Sequence, residues 1–222
     1  MISKVLIANR GEIALRVIKT CKALGIKTVA VYSDEDRNSL HVKKATESYH
    51  IGEAAPAKSY LNQEKILEVM LSSGTDAVHP GYGFLSESSR FSQICSENGI
   101  EFIGPPSKTI EEMGDKSQAK KTMKAIGVQV IYGSEGIIKD IDEAYIEAEK
   151  AGYPIILKAS AGGGGRGMRL VESKDQMENA FMAAQSEAEI SFNNGDLYLE
   201  KFIEKPRHIE VQILADTHGN VV

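Results

Sequence analysis

The chain has 222 residues, of which 42% are hydrophobic and 26% charged, and it contains 20 Gly, 6 Pro and 2 Cys. These proportions exclude a disordered or collagen-like chain, and no apolar stretch is long enough to span a membrane. Because 31 acidic side chains outnumber 26 Lys and Arg, the net charge is −5, so we expect no nucleic acid partner and only a local phosphate site. The widely spaced Cys21 and Cys95 predict buried thiols, as in the cytoplasm or an organelle matrix.

The first hundred residues alternate short apolar runs with helical patterns. Residues 4–33, KVLIANRGEIALRVIKTCKALGIKTVAVYS, predict a strand, a helix and a second strand, and the apolar helix face includes Leu24 before a stop at Gly25. Strands that alternate with helices in this way predict a parallel sheet covered on both faces. Further helices are predicted over 61–72 and 86–98, and further strands over 76–79 and 100–103.

Two prolines, Pro105 and Pro106, end this pattern. The next segment is helical over 107–126, and the run VQVIYGSEG after Gly127 predicts a strand. A small α+β module follows, in which two strands flank a glycine-rich loop and so form an antiparallel hairpin. The elements predicted for this module are strands over 155–159, 168–171 and 197–199 and a helix over 174–190.

The final stretch, HIEVQILADTHGNVV, alternates polar and apolar residues and then reaches turn residues at 216–220. The alternation predicts a strand that carries His208, Glu210 and Gln212 on one face, either beside a ligand or simply exposed to water. The turn predicts a hairpin. Because the return strand would begin only at the last residues, we expect the chain to be part of a longer one.

The loop of the first hairpin is the strongest local signal. Five glycines in six positions let the backbone place N–H groups against a polyanion. Ordering five glycines costs about 2.5–5 kcal/mol more than ordering five alanines, and a bound ligand would offset this cost, so we favour a ligand site over a flexible linker. No Lys followed by Ser or Thr closes the loop, so it is not a Walker loop. The candidate residues are Gly162, Gly163, Gly164, Gly165, Arg166 and Gly167.

Lys158 lies at the root of this loop, on the same strand face as Ile156. We predict that it places a point charge against phosphates, the alternative being a surface lysine. Downstream, Glu200 and Lys201 end a strand before Phe202 and Ile203, and such an edge can accept and donate hydrogen bonds against a flat heteroaromatic ring.

A second loop, HPGYGFLSE, follows the strand that ends at His79 and opens a helix, with Ser86 as the predicted N-cap. Crevices at the carboxyl ends of parallel strands bind ligands in open α/β sheets, so this loop is a further candidate.

The segments KVLIANRGEIALR, HPGYGFLSES, IGP, MGDK, YPIILKASAGGGGRGMR and EKFIEKPRHIEVQ, in this order, resemble the biotin carboxylase family, the ATP-grasp enzymes of acetyl-CoA carboxylase and related acyl-CoA and pyruvate carboxylases. The resemblance implies an α/β fold in four parts. They are a Rossmann-like parallel-sheet N-terminal domain (1–104), a helical connector (105–130), an α+β ATP-grasp lid domain (131–203) and the start of a truncated C-terminal ATP-grasp domain (204–222).

The resemblance also implies a reaction and its partners. Members use ATP, Mg²⁺ and bicarbonate to make carboxyphosphate, whose CO₂ passes to biotin on a biotin carboxyl carrier protein and then, through a carboxyltransferase, to an acceptor, as in fatty acid biosynthesis. It further implies a homodimer at full length and no membrane partner. Two alternatives remain open: another ATP-grasp carboxylate ligase, and a nucleotide-binding fragment without turnover.

Site residues follow position by position from the same resemblance. Lys116 and Lys158 are implied to contact phosphates, with Gly162–Gly167 as the lid loop over them. Glu200, Lys201 and Ile203 are implied to contact adenine, and His208 the nucleotide. The catalytic residues, the Mg²⁺ ligands and the bicarbonate and biotin sites are expected beyond Val222, so the chain alone is expected to be inactive.

Overall fold

A computed structural model describes residues 2–114, 116–160 and 167–222. The chain forms two compact units, Met1–Val128 and Gln129–Val222, each with its own hydrophobic core. None of the described helices combines the length and the apolar character needed to cross a membrane. The division into four domains stays a prediction.

The first unit is built on a five-stranded parallel sheet. In chain order, its elements are β1 (Lys4–Ile7), α1 (Gly11–Ala23), β2 (Lys27–Ser33), α2 (Leu40–Lys44), β3 (Glu47–Gly52), α3 (Gln63–Ser73), β4 (Ala77–His79), α4 (Ser89–Glu97), β5 (Glu101–Phe102), α5 (Ser107–Gly114) and α6 (Lys116–Ala125). The strand order is β3-β2-β1-β4-β5.

Both faces of this sheet are buried, because successive residues of β1 enter different cores. Leu6 packs among residues of α3 and α4, whereas Val5 and Ile7 pack against α1. The predicted parallel sheet is therefore confirmed, and its carboxyl edge carries the loops after β1, β2 and β4.

Two details predicted for this unit are wrong. Leu24 is exposed, because α1 ends at Ala23 and the chain turns back through a hydrogen bond from Ile26 N–H to the Cys21 carbonyl. The cap of α4 is Ser88 and not Ser86: the Ser88 hydroxyl accepts from Phe91 N–H at 3.2 Å. Ser86 is used earlier, in a turn closed onto the Gly83 carbonyl.

The second unit contains a three-stranded antiparallel sheet with helices packed on one face. Its elements are α7 (Ile141–Ala151), β6 (Ile155–Ala159), β7 (Met168–Val171), α8 (Met177–Phe192) and β8 (Leu197–Lys201), and the strand order is β7-β6-β8. The predicted hairpin of β6 and β7 is confirmed. Ile155, Leu157 and Leu199 form the buried face of the sheet with the inner sides of the helices.

Two strands predicted for this unit are absent from the described residues. The VQVIYGSEG segment runs irregularly along β8. Its Tyr132 carbonyl accepts from Lys201 N–H, and its Ser134 N–H donates to the Leu199 carbonyl. The regular strand pattern is broken because Leu199 N–H donates to the Ser134 hydroxyl and not to a main-chain carbonyl. Residues 206–213 are exposed, since no described strand pairs with them and alternation alone cannot form a strand. The turn beyond them is confirmed by paired hydrogen bonds between Leu214 and Val222.

Candidate functional site

Several of the predicted site residues lie on the face of the β7-β6-β8 sheet that is opposite its helices; we call it the uncovered face, because no described helix of the second unit packs on it. The strand alternation predicted for β6 is confirmed: Leu157 is buried, whereas Ile156 and Lys158 are half-buried on the opposite face. Register then fixes their neighbours across the sheet. Lys158 pairs with Met168 and Tyr198, and Ile156 pairs with Leu170 and Glu200. Among the described residues of the sheet, this face is largely apolar and carries one cation, Lys158, and one anion, Glu200.

Lys158 is held in place on this surface. Its ammonium forms an ion pair with the Glu200 carboxylate and lies 6.0 Å from the centre of the Tyr198 ring. The Lys158 and Glu200 side chains are only 26% and 18% exposed. Burial raises the pKa of Tyr198, so that ring stays neutral. A partly desolvated, oriented lysine is suited to receive a phosphate group.

The end of β8 offers a second kind of contact, from the main chain. Hydrogen bonds from Leu199 and Lys201 run outward to the 132–138 segment, whereas Phe202 N–H bonds inward to the Pro154 carbonyl. The same alternation directs the Lys201 carbonyl and Ile203 N–H outward. Neither group makes a hydrogen bond to another described residue. One acceptor and one donor are thus available side by side.

The Lys201 side chain does not take part in this edge. Its ammonium donates to the Gly152 carbonyl at 2.8 Å and to the Tyr153 carbonyl at 2.9 Å, which fastens the loop between α7 and β6 to β8. Only the main chain of Lys201 is therefore available for a ligand. The sequence alone could not show that the side chain of Lys201 has a structural role while its main chain faces a possible ligand.

The glycine loop is described only at its ends, because Gly162, Gly163, Gly164, Gly165 and Arg166 lie outside the described residues. Ala159 N–H donates to the Gly167 carbonyl at 2.9 Å, so the hairpin is closed at its base. Gly167 has a φ of +68°, a conformation that favours glycine.

Glu187, which the sequence did not single out, also holds the base of this hairpin at Gly167. Its carboxylate accepts from Gly167 N–H at 3.3 Å and forms an ion pair with Arg169. Glu187 comes from α8, twenty residues further along the chain, and the sequence shows no local signal of this contact.

The remaining predicted site residues lie elsewhere. Lys116 is the first residue of α6 and belongs to the first unit. His208 is exposed in the irregular segment after β8, and no described residue hydrogen-bonds to it. The structure therefore brings together Lys158, Glu200 and the β8 end, and it does not add His208 to that group.

The HPGYGFLSE loop of the first unit is tightly fixed. The Asn9 side chain donates to the Pro80 carbonyl at 2.9 Å and to the Tyr82 carbonyl at 2.8 Å. His79 Nδ1 accepts from Gly81 N–H at 3.0 Å, and burial holds the pKa of His79 below its ordinary value of 6.5. Tyr82 is exposed at the tip of the loop. An ordered loop with an exposed aromatic ring remains a binding candidate.

Metal ligands can be sought only among the described residues. In that part of the chain, no three His, Cys, Asp or Glu side chains gather into a group that could hold a metal ion. We therefore assign no Mg²⁺ ligand.

Two family descriptions match consecutive parts of the chain. Residues 1–110 match the biotin carboxylase N-terminal domain, and residues 115–222 match the ATP-binding domain of the carbamoyl-phosphate synthase L chain. The biotin carboxylase of Nostoc sp. is 55% identical over 219 residues, which cover 99% of this chain and 49% of that protein.

Solved structures agree with the sequence comparison. The biotin carboxylase domain of thermophilic 2-oxoglutarate carboxylase, bound to bicarbonate, has a TM-score of 0.91 and 49% identity over 100% of this chain and 48% of that one. The Hydrogenobacter thermophilus domain dimer, in complex with MgADP, ADP and bicarbonate, has a TM-score of 0.80 and 52% identity over 100% of this chain and 49% of that one. The chain thus spans about half the length of these three relatives. It belongs to the biotin carboxylase family, of which it carries the N-terminal domain and the ATP-binding domain.

Proposed function

We propose that this chain supplies the ATP-binding part of a biotin carboxylase, an ATP-grasp ligase. In the proposed reaction a bicarbonate oxygen attacks the γ-phosphorus of ATP, giving carboxyphosphate and ADP. The bond between the CO₂ unit and the phosphate of carboxyphosphate then breaks, and the CO₂ forms a bond to N1 of biotin, whose proton leaves with the released phosphate. The structure of the Hydrogenobacter relative with MgADP and bicarbonate supports this assignment of substrates.

One observation carries the proposal: a half-buried lysine on β6 and a main-chain donor–acceptor pair at the end of the neighbouring strand β8, which makes no hydrogen bond to another described residue, belong to the same sheet. An adenine ring presents an amino donor beside a ring-nitrogen acceptor, which matches the outward Lys201 carbonyl and Ile203 N–H. Lys158 pairs with Tyr198, five residues back along β8 from Ile203. That separation is about 16 Å in an extended strand, comparable with an extended nucleoside triphosphate. The apolar face between them suits the ring and the ribose.

Each of these groups has a separate task in the proposed site. The β8 edge orients the base, the apolar side chains exclude water from it, and Lys158 balances the charge of the phosphates. Mg²⁺, when bound, would neutralise charge on the transferring phosphoryl group. We extend the proposal to Lys116, Gly162–Gly167 and His208 on the family resemblance.

The partners belong to the same proposal. A carrier protein would present biotin and a carboxyltransferase would use the product, and a homodimer is supported by the dimeric structure of the Hydrogenobacter relative. A location in the cytoplasm, or in an organelle matrix, stays a prediction.

The test is a chimaera in which residues 1–222 replace the matched part of the Nostoc biotin carboxylase. We expect ATP- and bicarbonate-dependent carboxylation of free biotin, and its loss in the Lys158→Ala chimaera. A folded chimaera that binds ATP without carboxylating biotin would favour a nucleotide-binding part without turnover. A folded chimaera that does not bind ATP would contradict the proposal.

A further inference from the structure

Lys158 has a charged partner within the chain itself. Its partner is the carboxylate of Glu200, which lies on the neighbouring strand and on the same uncovered face. Cross-strand register sets this pair: Ile156 is opposite Glu200, and Lys158 is opposite Tyr198, so the two charged side chains meet on the diagonal. The family resemblance assigns Glu200 to adenine, and that assignment gives no role to this ion pair.

We infer that Glu200 is an internal counter-ion that the phosphates of ATP displace from Lys158, so that Glu200 tunes the affinity for phosphorylated ligands and not for the base. The inference rests on the proposed function, since it takes Lys158 as a phosphate contact. Glu200 is then a positioning residue that acts through Lys158.

The physical argument is competition for one ammonium group. Both side chains are largely withdrawn from water, so their attraction is stronger than that of a surface ion pair. A phosphate that binds Lys158 must replace this attraction, and it must also approach a carboxylate of the same sign. Removing the carboxylate charge therefore lowers the cost of phosphate binding.

Tyr198 keeps the ammonium in place during the exchange. Its ring centre lies 6.0 Å from Lys158 Nζ, at the limit of a cation–π contact. Because the ring is neutral, it does not compete with a phosphate as a carboxylate does. The lysine therefore stays oriented on the sheet face when Glu200 is displaced.

Adenosine separates this role from a role in base recognition, because it carries the base and no phosphate. If Glu200 acts through Lys158, loss of its charge changes ATP binding and leaves adenosine binding unchanged. If Glu200 contacts the base through its side chain, the loss changes both ligands alike.

The experiment is calorimetric titration of this chain with ATP and with adenosine. The variants are Glu200→Gln, Lys158→Gln and the double variant, with Glu178→Gln, an exposed glutamate of α8, as the charge-matched control. We expect Glu200→Gln to bind ATP about three- to tenfold more tightly, with adenosine affinity unchanged. We also expect no such gain in the Lys158→Gln background or in the control.

Other outcomes overturn the inference. Unchanged or weaker ATP binding by a folded Glu200→Gln chain, or an equal change for ATP and adenosine, contradicts the counter-ion role and leaves the proposed function intact. A gain that persists without Lys158 shows that Glu200 acts by general repulsion and also contradicts it. No ATP binding by the folded wild-type chain contradicts the inference and the proposed function together.

Discussion

Lys158 combines three features that seldom coincide in a surface lysine: partial burial, a fixed carboxylate partner and a neighbouring aromatic ring. A surface ion pair of two solvated side chains contributes about 0–1 kcal/mol and orients neither of them reliably. The Lys158 ammonium is oriented because its strand, its register and its ring contact are all set by the sheet.

Replacement of Lys158 by alanine should weaken ATP binding about ten- to a hundredfold, or about 1.5–3 kcal/mol, as expected for a charge-assisted contact. Lys116→Ala should have an effect of the same size if the family resemblance holds at that position. Isothermal titration of the chain with ATP measures both. Lys174→Ala, which removes an exposed lysine paired with Glu149, is the control and should bind ATP normally. Unchanged affinity in either test variant would mean that this lysine does not contact the phosphates.

His79 should make the stability of the chain sensitive to mild acid. Burial lowers its pKa in the folded state, so the unfolded chain binds a proton first as the pH falls. The contribution of neutral His79 is complete above its ordinary pKa of 6.5 and is lost as the pH falls towards the lower folded value. Protonation would also end the acceptor role of Nδ1 towards Gly81 N–H.

Urea unfolding between about pH 7.5 and about pH 5.5 tests this sensitivity. The unfolding free energy of His79→Gln should fall less steeply with acidification than that of the wild type. His218→Gln, at an exposed turn, should follow the wild type. Equal slopes for His79→Gln and the wild type would contradict the account of this loop.

At the scale of elements, the loop between β4 and α4 depends on close approach to β1. A Cβ atom on Gly81 would lie 2.6 Å from Asn9 Nδ2 and 2.9 Å from Ile13 Cγ2, and Gly81 has a φ of +68°. Gly83 has a similar φ of +64° but no neighbour within 4 Å of such an atom. Comparing substitutions at these two glycines therefore separates the cost of steric overlap from the cost of the backbone conformation.

Gly81→Ala should lower the free energy of unfolding by about 2–5 kcal/mol, because overlap adds to the cost of a left-handed alanine. Gly83→Ala should cost only about 1–2 kcal/mol, from the backbone alone. Chemical denaturation of both variants measures the difference. Equal losses would mean that the loop moves away from Asn9 freely.

Elements could be predicted from the sequence where their pattern is local. The residues of β6 and β7 were predicted correctly, since β6 alternates inside and outside and a glycine loop separates the two strands. The strands predicted over 128–136 and from His208 to Ile213 were wrong. The first segment runs irregularly along β8, with the Ser134 hydroxyl in place of a main-chain acceptor, and no described strand pairs with the second. Neither α2 nor β3 was predicted, because their residues show no clear hydrophobic periodicity.

The candidate site was predictable to the same extent. Lys158, Glu200 and the β8 end stand out in the sequence, but their meeting depends on the register of β6 with β8. Asn9 contacts a loop more than seventy residues away, and Glu187 reaches Gly167 from another element. Such long-range partners follow from tertiary packing and leave no local pattern.

At the scale of the whole molecule, the surface after β8 differs from the rest of the second unit. Ile209, Val211 and Ile213 are 82%, 81% and 64% exposed within five residues, and no described strand pairs with their main chain. Exposed apolar side chains beside unpaired backbone favour association with another chain.

The chain should therefore self-associate at high concentration. Replacing Ile209, Val211 and Ile213 together by serine should restore a monomer in sedimentation velocity. Ile190→Ser, which removes an isolated exposed side chain on α8, should leave the association unchanged. A wild-type chain that is monomeric throughout the concentration series would contradict this expectation.

We expect ATP to bind on the uncovered face of the β7-β6-β8 sheet. Amide NMR spectra of the ¹⁵N-labelled chain, recorded during a titration with ATP, report on each residue of this face. We predict saturable shifts that are largest for Ile203 N–H and for the residues of β6 and β8 around Lys158 and Tyr198, with much smaller shifts for GTP, whose base presents the opposite donor–acceptor order. Saturable binding that leaves Ile203 and these two strands unshifted would contradict ATP binding on this face.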